Sequence, residues 1–255
     1  MSPEAKETSL DLRAFVELLH RLGEQGIPFA VIGGMAVGAY ARLRGETMFS
    51  ADLDIVTTEA TLQELIEAAP ALSLEVLSRP QPRSVPVAVM EWRGLEVNVL
   101  TASSGLPAAE FVVRGAREFH VDDPPIVIPI ADPLDLLSNK LVVRRPKDVP
   151  HIDVLRAFVE DEILVEFGGG ATARERLTSL RRYLDVLGTK FVPVNLAERL
   201  IEVVEDPTSA RYLAGHIDAV ELARALLERM EPRGTAEDLR GILIRRGLLD
   251  DVTET

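Results

Sequence analysis

The chain has 255 residues, of which 47% are hydrophobic, with no cysteine, four histidines and a formal net charge of -13. It can bury a substantial core as one large domain or two small ones, and its apolar runs are too short to span a membrane, so we expect a globular cytoplasmic protein. Without cysteine, disulfides, zinc–thiolate sites and thiol nucleophiles are excluded. The acidity argues against a broadly basic nucleic-acid-binding surface but leaves a local basic patch open.

The first elements are a helix and a strand that ends at two glycines. Apolar residues recur at helical spacing over 12–22, and the apolar run 29–32 predicts a strand. Gly33 and Gly34 allow the backbone to approach a ligand closely, and the helix predicted over 35–43 offers free N–H groups to a phosphate. Taken alone, a Gly-Gly sequence is as well explained by a simple strand-to-helix turn.

Two aspartates follow on the next predicted strand, 51–57. Asp52 and Asp54 are two residues apart, which is the side-chain repeat of a strand, so both carboxylates leave the same face. Like charges so close repel each other unless a positive group lies between them, and a divalent metal is the group we expect. Mg²⁺ prefers one or two carboxylates together with phosphate oxygens. A solvated strand edge is the alternative, but the apolar neighbours of the pair favour a buried strand.

The middle of the chain predicts a helix over 61–69, a hairpin formed by 87–92 and 95–101, a helix over 106–118 and a strand over 126–130. Together with the preceding elements, this order predicts an α/β fold.

A helix over 133–144 begins with Asp132 as N-cap and carries Lys140 near the edge of its apolar stripe. An isolated lysine in such a place usually extends its ammonium group to solvent. After the helix, Arg144, Arg145 and Lys147 form the densest basic cluster of the chain.

Two further aspartates follow this cluster. Asp148 is positioned to cap the next helix, which explains it without any active site. Asp153 lies one turn inside that helix among apolar residues, where capping does not explain it.

Three glycines at 168–170 mark a linker. We therefore predict two domains, 1–167 with the sheet and 168–255 with helices only. No catalytic constellation occurs in the second domain, whose helices would cover the sheet or contact a partner or an acceptor substrate.

Three motifs together resemble the nucleotidyltransferase (polymerase-beta-like) superfamily. They are Gly33-Gly34, the sequence from Ser50 to Asp54, and the sequence from Lys140 to Asp148 with Asp153. Within the superfamily, the chain resembles bacterial nucleotidyltransferase toxins of the abortive-infection and toxin–antitoxin type. The order and spacing of the motifs, rather than any single one, carry the resemblance.

The resemblance implies a mixed sheet flanked by helices, with a C-terminal helical domain. It also implies a role for each of these residues. Asp52 and Asp54 would act in catalysis by holding Mg²⁺ or Mn²⁺. Lys140 would act both in catalysis and in phosphate binding, with Asp148 and Asp153 orienting it and the basic residues beside it. The residues implied in binding a nucleoside triphosphate are Gly33, Gly34, Ser50, Lys140, Arg145, Lys147 and Asp148.

One position departs from the superfamily pattern. Members usually carry a third carboxylate on the second hairpin strand, where this chain has Asn98. Asparagine cannot act as a base, but its carbonyl oxygen can bind a metal. Glu96, two residues earlier on the same strand face, is a candidate for the missing charge.

The resemblance implies transfer of a nucleoside monophosphate from a nucleoside triphosphate to an acceptor. The acceptor could be the 3′ end of tRNA, a protein side chain or a small molecule such as an aminoglycoside, and a cognate antitoxin could be a partner. The alternative is a degenerate nucleotidyltransferase fold that binds nucleotide or a protein partner without turnover, which Asn98 supports. A third alternative is a purely structural helical scaffold, which would leave the presence of Asp52, Asp54, Lys140 and Asp153 in this pattern to coincidence.

Overall fold

The computed structural model describes residues 11–80, 87–122, 125–168, 173–187, 240–241 and 244–245. The α-helices are α1 (Val16–Glu24), α2 (Gly33–Leu43), α3 (Glu59–Ala68), α4 (Ala109–Arg114), α5 (Pro133–Val143), α6 (Val149–Gly168) and α7 (Ala173–Leu187). The strands are β1 (Ala30–Ile32), β2 (Leu53–Val56), β3 (Glu75–Ser78), β4 (Val87–Trp92), β5 (Leu95–Leu100), β6 (Arg117–Asp122) and β7 (Pro125–Ile130). Short 3-10 helices precede α1 and α6, at Leu12–Phe15 and Pro146–Asp148.

Across these ranges, seven strands form one mixed sheet in the order β3-β4-β5-β2-β1-β7-β6. The pairs β1–β7 and β2–β5 are parallel, and the other neighbouring strands are antiparallel. Helices α1, α2 and α4 contact the strands. The predicted α/β fold, a mixed sheet flanked by helices, is confirmed. No helix among the described ranges is long and apolar enough to cross a lipid bilayer.

The register of the central strands sets the positions of two polar side chains. In the parallel pair, Asp54 on β2 lies opposite Asn98 on β5, and in the antiparallel pair it lies opposite Ile32 on β1. The strand neighbours of Asp54, Leu53 and Ile55, are buried in the core. Since successive strand side chains alternate between faces, Asp54 and Asn98 share the face opposite to these apolar residues.

The hairpin that carries Asn98 is held in place at its turn. Arg93 and Gly94 both have positive φ (54° and 80°), as the two central residues of a tight hairpin turn require. The Arg93 guanidinium lies over the Trp92 ring at 4.6 Å and binds both carboxylate oxygens of Glu17 on α1. These contacts fix the hairpin against the first helix.

One stretch differs from its predicted structure. The helix predicted over 106–118 is limited to Ala109–Arg114, and the chain continues as β6 from Arg117, paired antiparallel with β7. The residues that follow Gly115 alternate between polar and apolar side chains, which suits a strand. The strand partner supplies the hydrogen bonds that decide in favour of an extended chain.

The chain divides into two compact units, Met1–Phe158 and Val159–Thr255. Helix α6 continues through the division, and the predicted domain boundary after residue 167 stays a prediction. In the second unit, α7 is helical as expected, with Tyr183, Leu184 and Leu187 buried. The remaining helices predicted for 168–255 lie outside the described residues.

Candidate active site

A pocket of about 410 Å³ opens beside the ends of β2 and β5. The predicted site residues that line it are Gly34, Ser50, Asp52, Asp54, Asn98, Lys140, Arg145, Lys147 and Asp148. Gly33 does not line the pocket itself, but its backbone lies against the side chain of Asp54, which does. The structure therefore brings together groups that come from four separate segments of the chain.

The two glycines form the first turn of α2, which begins at Gly33 rather than at the predicted residue 35. Gly33 has a φ of 70°, and a Cβ there would overlap the Asp54 carboxylate. A Cβ on Gly34 would lie 2.5 Å from Ser50 Oγ. No side chain caps this helix. The glycines thus let the acidic strand approach a helix N-terminus whose N–H groups attract anions.

The predicted carboxylate pair is held together by neutral hydrogen-bond donors. Strand β2 is shorter than predicted, so Ser50 and Asp52 lie just before it, and Ser50 Oγ donates to Asp52 at 3.0 Å. Asn98 Nδ2 lies 3.2 Å from an oxygen of Asp52, 3.2 Å from an oxygen of Asp54 and 3.1 Å from Glu96. One amide group, with two hydrogens, thus serves three carboxylates. Glu96 does share the face of Asn98, as predicted.

The environment of Asp54 disfavours its negative charge. Burial is the main cause, and the charge of Asp52 adds to it, so that together they raise the pKa of Asp54 to about 6. Hydrogen bonding from Asn98 and the positive charges of Lys140 and Arg145 oppose this rise without cancelling it. A cation bound beside Asp52 and Asp54 would therefore stabilise the ionised form of Asp54.

Lys140 does not extend to solvent. Its side chain is 2% exposed, and its Nζ donates to Oδ1 of Asp148, itself fully buried, at 3.1 Å. Arg145 Nε donates to the other Asp148 oxygen at 2.9 Å. Burial by itself raises the pKa of Asp148, but the hydrogen bonds from Arg145 and Lys140 outweigh it and lower that pKa to about 2. Asp148 thus orients the lysine, and these bonds rather than helix capping occupy its carboxylate.

Asp153 is the one predicted site residue that the structure places elsewhere. Its side chain is exposed on α6 and does not line the pocket. Residues two positions apart on an α-helix point about 200° apart, and His151 is the residue of this turn that faces the pocket. Asp153 therefore lies on the far side of the helix, and Asp148 alone holds Lys140 among the described contacts.

His151 is the site residue that sequence analysis missed. It lines the pocket at 15% exposure, and its buried Nδ1 lies 3.6 Å from Asp148 Oδ1 with no hydrogen-bond partner among the described residues. Burial, and then the charge of Lys140, lower the pKa of His151, so the imidazole is neutral at pH 7. His151 lies three residues after Asp148, in the first turn of α6, and this spacing was the available signal.

The donor set fits a magnesium ion that arrives with phosphates. Among the described residues, no group of three or more histidine and carboxylate side chains is arranged to hold a metal by itself. Asp52, Asp54 and the carbonyl oxygen of Asn98, after rotation of its amide, supply hard oxygen ligands. Mg²⁺ commonly takes one or two carboxylates and completes its shell with substrate phosphates and water.

Comparisons with known proteins contribute little beyond this geometry. The sequence matches no protein-family model, and no curated protein matches it either. A solved structure of an antigenic nucleotidyltransferase-like protein from Paracoccidioides brasiliensis is similar with a TM-score of 0.34 and 15% identity, covering 92% of this chain and 94% of that one. A similarity at this level carries no functional conclusion for this chain.

Replacing Asp54 by asparagine should stabilise the protein at neutral pH. The folded-state pKa of about 6 exceeds the ordinary 3.8, so the stability tied to this group is present at low pH and lost as pH rises through 6. We expect Asp54→Asn to raise the free energy of unfolding by about 1–2 kcal/mol at pH 7.5 and to have little effect near pH 4. Urea unfolding at both pH values measures this.

The matched control is Asp153→Asn on the exposed face of α6, which should change neither value. An Asp54→Asn protein less stable than the wild type at pH 7.5 would contradict this electrostatic description of the pocket.

Two glycine substitutions should have opposite effects. Gly33→Ala places a Cβ against Asp54 at a residue with positive φ. A non-glycine residue in this left-handed conformation costs roughly 1–2 kcal/mol by itself, and the overlap with Asp54 should make the loss of stability larger. Gly23 lies in α1 with nothing within 4 Å of its Cβ position, so Gly23→Ala should stabilise by about 0.5–1 kcal/mol. Thermal unfolding compares the two, and equal effects would show that the Gly33 turn is not strained.

Proposed function

We propose that the protein is a metal-dependent nucleotidyltransferase, which transfers a nucleoside monophosphate from a nucleoside triphosphate to an acceptor. The observation that carries this proposal is Lys140, a buried lysine whose ammonium group lines the same pocket as Asp52 and Asp54. Burial of a lysine is costly unless its charge is used, and Asp148 accounts for only one of its three N–H donors.

The pocket has an acidic side and a basic side. Asp52 and Asp54 lie at the ends of the strands, whereas Lys140, Arg145 and Lys147 come from α5 and the loop after it. A metal–triphosphate complex carries both signs of charge and matches this division. The N-terminus of α2, beside Ser50, offers further donors to phosphate oxygens.

Asp52, Asp54 and the Asn98 carbonyl would hold Mg²⁺ or Mn²⁺, which neutralises charge on the phosphates when bound. The chain's own residues do the rest. Lys140 and Arg145 would orient the phosphates and neutralise the negative charge that grows on pyrophosphate as the acceptor oxygen displaces it. Phosphoryl chemistry of this kind depends on position and charge more than on a covalent nucleophile.

The acceptor and the partner follow from the resemblance to bacterial toxins. We extend the proposal to the 3′ end of tRNA as the acceptor and to a cognate antitoxin as a partner. Protein side chains and small molecules are the other acceptor classes. Arg145 and Lys147 of the basic cluster line the pocket, where they would meet the triphosphate.

A second candidate function has its own observation. The Asn98 amide lies among Asp52, Asp54 and Glu96 and satisfies these carboxylates with a neutral group. Such an arrangement also suits a degenerate site that binds nucleotide without turnover, because asparagine cannot accept the proton of an acceptor hydroxyl.

The decisive experiment is incubation of the pure protein with each α-labelled nucleoside triphosphate, Mg²⁺ and total bacterial tRNA. We expect label to move onto RNA with the wild type and not with Asp52→Ala or Asp54→Ala. Nucleotide binding without transfer to RNA, protein or aminoglycoside would favour the degenerate site. If the wild type neither binds a nucleoside triphosphate nor transfers label from it, the proposal is overturned.

Asn98→Asp separates the two candidate functions. In a degenerate enzyme, the restored carboxylate should create transfer activity that the wild type lacks. In an active enzyme we expect Asn98→Asp to tighten Mn²⁺ binding while the wild type already transfers label. Steady-state transfer at varied Mn²⁺ concentration measures both effects.

The two lysines should differ strongly. Lys140→Met should lower kcat by about 10²–10³-fold, because a preorganised buried charge is lost. Lys147 is exposed, and Lys147→Met should raise KM a few-fold at most. Circular dichroism controls for folding, and equal losses in both variants would show that burial of Lys140 has no catalytic purpose.

A further inference from the structure

Phe49 is the one large apolar side chain among the residues that line the pocket. The other lining residues are small, polar or charged. Phe49 lies in the loop between α2 and β2, and its side chain is 52% exposed. An exposed aromatic ring that lines a charged pocket offers a ligand an apolar surface.

The Phe49 ring makes no contact with another aromatic ring in the described part of the chain. Ring contacts there join Phe15 to Trp92 and Tyr40 to both Phe119 and Phe158, and Phe49 takes part in none of them. Those paired rings belong to the interior of the first unit. Phe49 therefore does not contribute an aromatic contact to the core.

Its place in the chain relates it to the phosphate-binding side of the pocket. Phe49 directly precedes Ser50, whose hydroxyl lies against Gly34 at the start of α2. A nucleotide held by its phosphates at this helix N-terminus projects its base away from them through the ribose. Phe49 and Ser50, whose Cα atoms are about 3.8 Å apart, both line the pocket into which such a nucleotide would extend.

On the basis of the proposed function, we propose that Phe49 is the stacking platform for the nucleobase of the bound nucleoside triphosphate. Every base has a π-face, so stacking contributes affinity without selecting one base. The Asn98 amide, the one side-chain amide among the lining residues, is engaged with carboxylates. We therefore expect purine triphosphates to bind more tightly than pyrimidine triphosphates, through their larger stacking surface.

The test compares Phe49→Ala, Phe49→Leu and Phe49→Trp with Phe111→Ala. Phe111 on α4 is 56% exposed, nearly as much as Phe49, but it does not line the pocket. Calorimetry in Mg²⁺ gives Kd values for ATP, CTP and inorganic tripolyphosphate, which has phosphates but no base. Thermal unfolding of each variant confirms that it is folded.

We expect Phe49→Ala to raise Kd for ATP by about 5- to 100-fold and to leave tripolyphosphate binding unchanged. Phe49→Leu should be weakened nearly as much, because it restores apolar bulk without a ring, whereas Phe49→Trp should bind at least as well as the wild type. Phe111→Ala should match the wild type with every ligand. The indole ring introduced by Phe49→Trp should also report ATP binding, through quenching of its fluorescence.

Three results would overturn the inference. Unchanged ATP affinity in Phe49→Ala, with tripolyphosphate still bound, would remove the stacking role and leave the proposed function intact. Full rescue by Phe49→Leu would replace stacking with general apolar contact. Failure of the wild type to bind either ATP or tripolyphosphate would instead refute the proposed function, and the role of Phe49 with it.

Discussion

The buried ion pair between Lys140 and Asp148 is the interaction on which the pocket depends. Both side chains are removed from solvent, so each would be strongly destabilising without the other. The chain reverses direction between them at Arg144, which has the left-handed φ of 48° and ends α5. Arg145 then folds back to the second oxygen of Asp148. A fully bound carboxylate thereby keeps a lysine ammonium fixed at the pocket.

The opposite wall of the pocket has the complementary electrostatics. There, burial and the negative charge of Asp52 raise the pKa of Asp54 to about 6. Asn98 offers only a neutral amide to these groups. Fixed charges of opposite sign on two walls, in a site formed before any ligand arrives, are what phosphoryl transfer requires. They also make the pocket costly in stability, as functional sites often are.

Local sequence patterns predicted much of this site. The short spacing of Asp52 and Asp54 predicted that they lie together, as they do around Asn98, although Asp52 precedes β2 instead of lying on it. The Gly-Gly sequence marked the turn at α2. Both features depend on a few neighbouring residues. The burial of Lys140 was not predictable from its helix, since it depends on Asp148 eight residues away. Sequence analysis assigned Asp153 to the site and missed His151, because tertiary packing decides which side of α6 faces the pocket. β6 was not predicted, and its first two residues fell within the predicted helix 106–118, because only the pairing of β6 with β7 makes it a strand.

The central claim is that side chains of opposite charge form one site for a metal–nucleotide complex. The most direct test is a titration with Mn²⁺, monitored by electron paramagnetic resonance. We predict that the wild type binds Mn²⁺ weakly alone and much more tightly when a nucleoside triphosphate is present. Asp54→Asn should lose tight Mn²⁺ binding, because it removes a carboxylate ligand from the acidic wall. Lys140→Met should lose the increase in Mn²⁺ affinity that the nucleoside triphosphate causes. Mn²⁺ affinity that is the same with and without nucleotide in the wild type would contradict the claim.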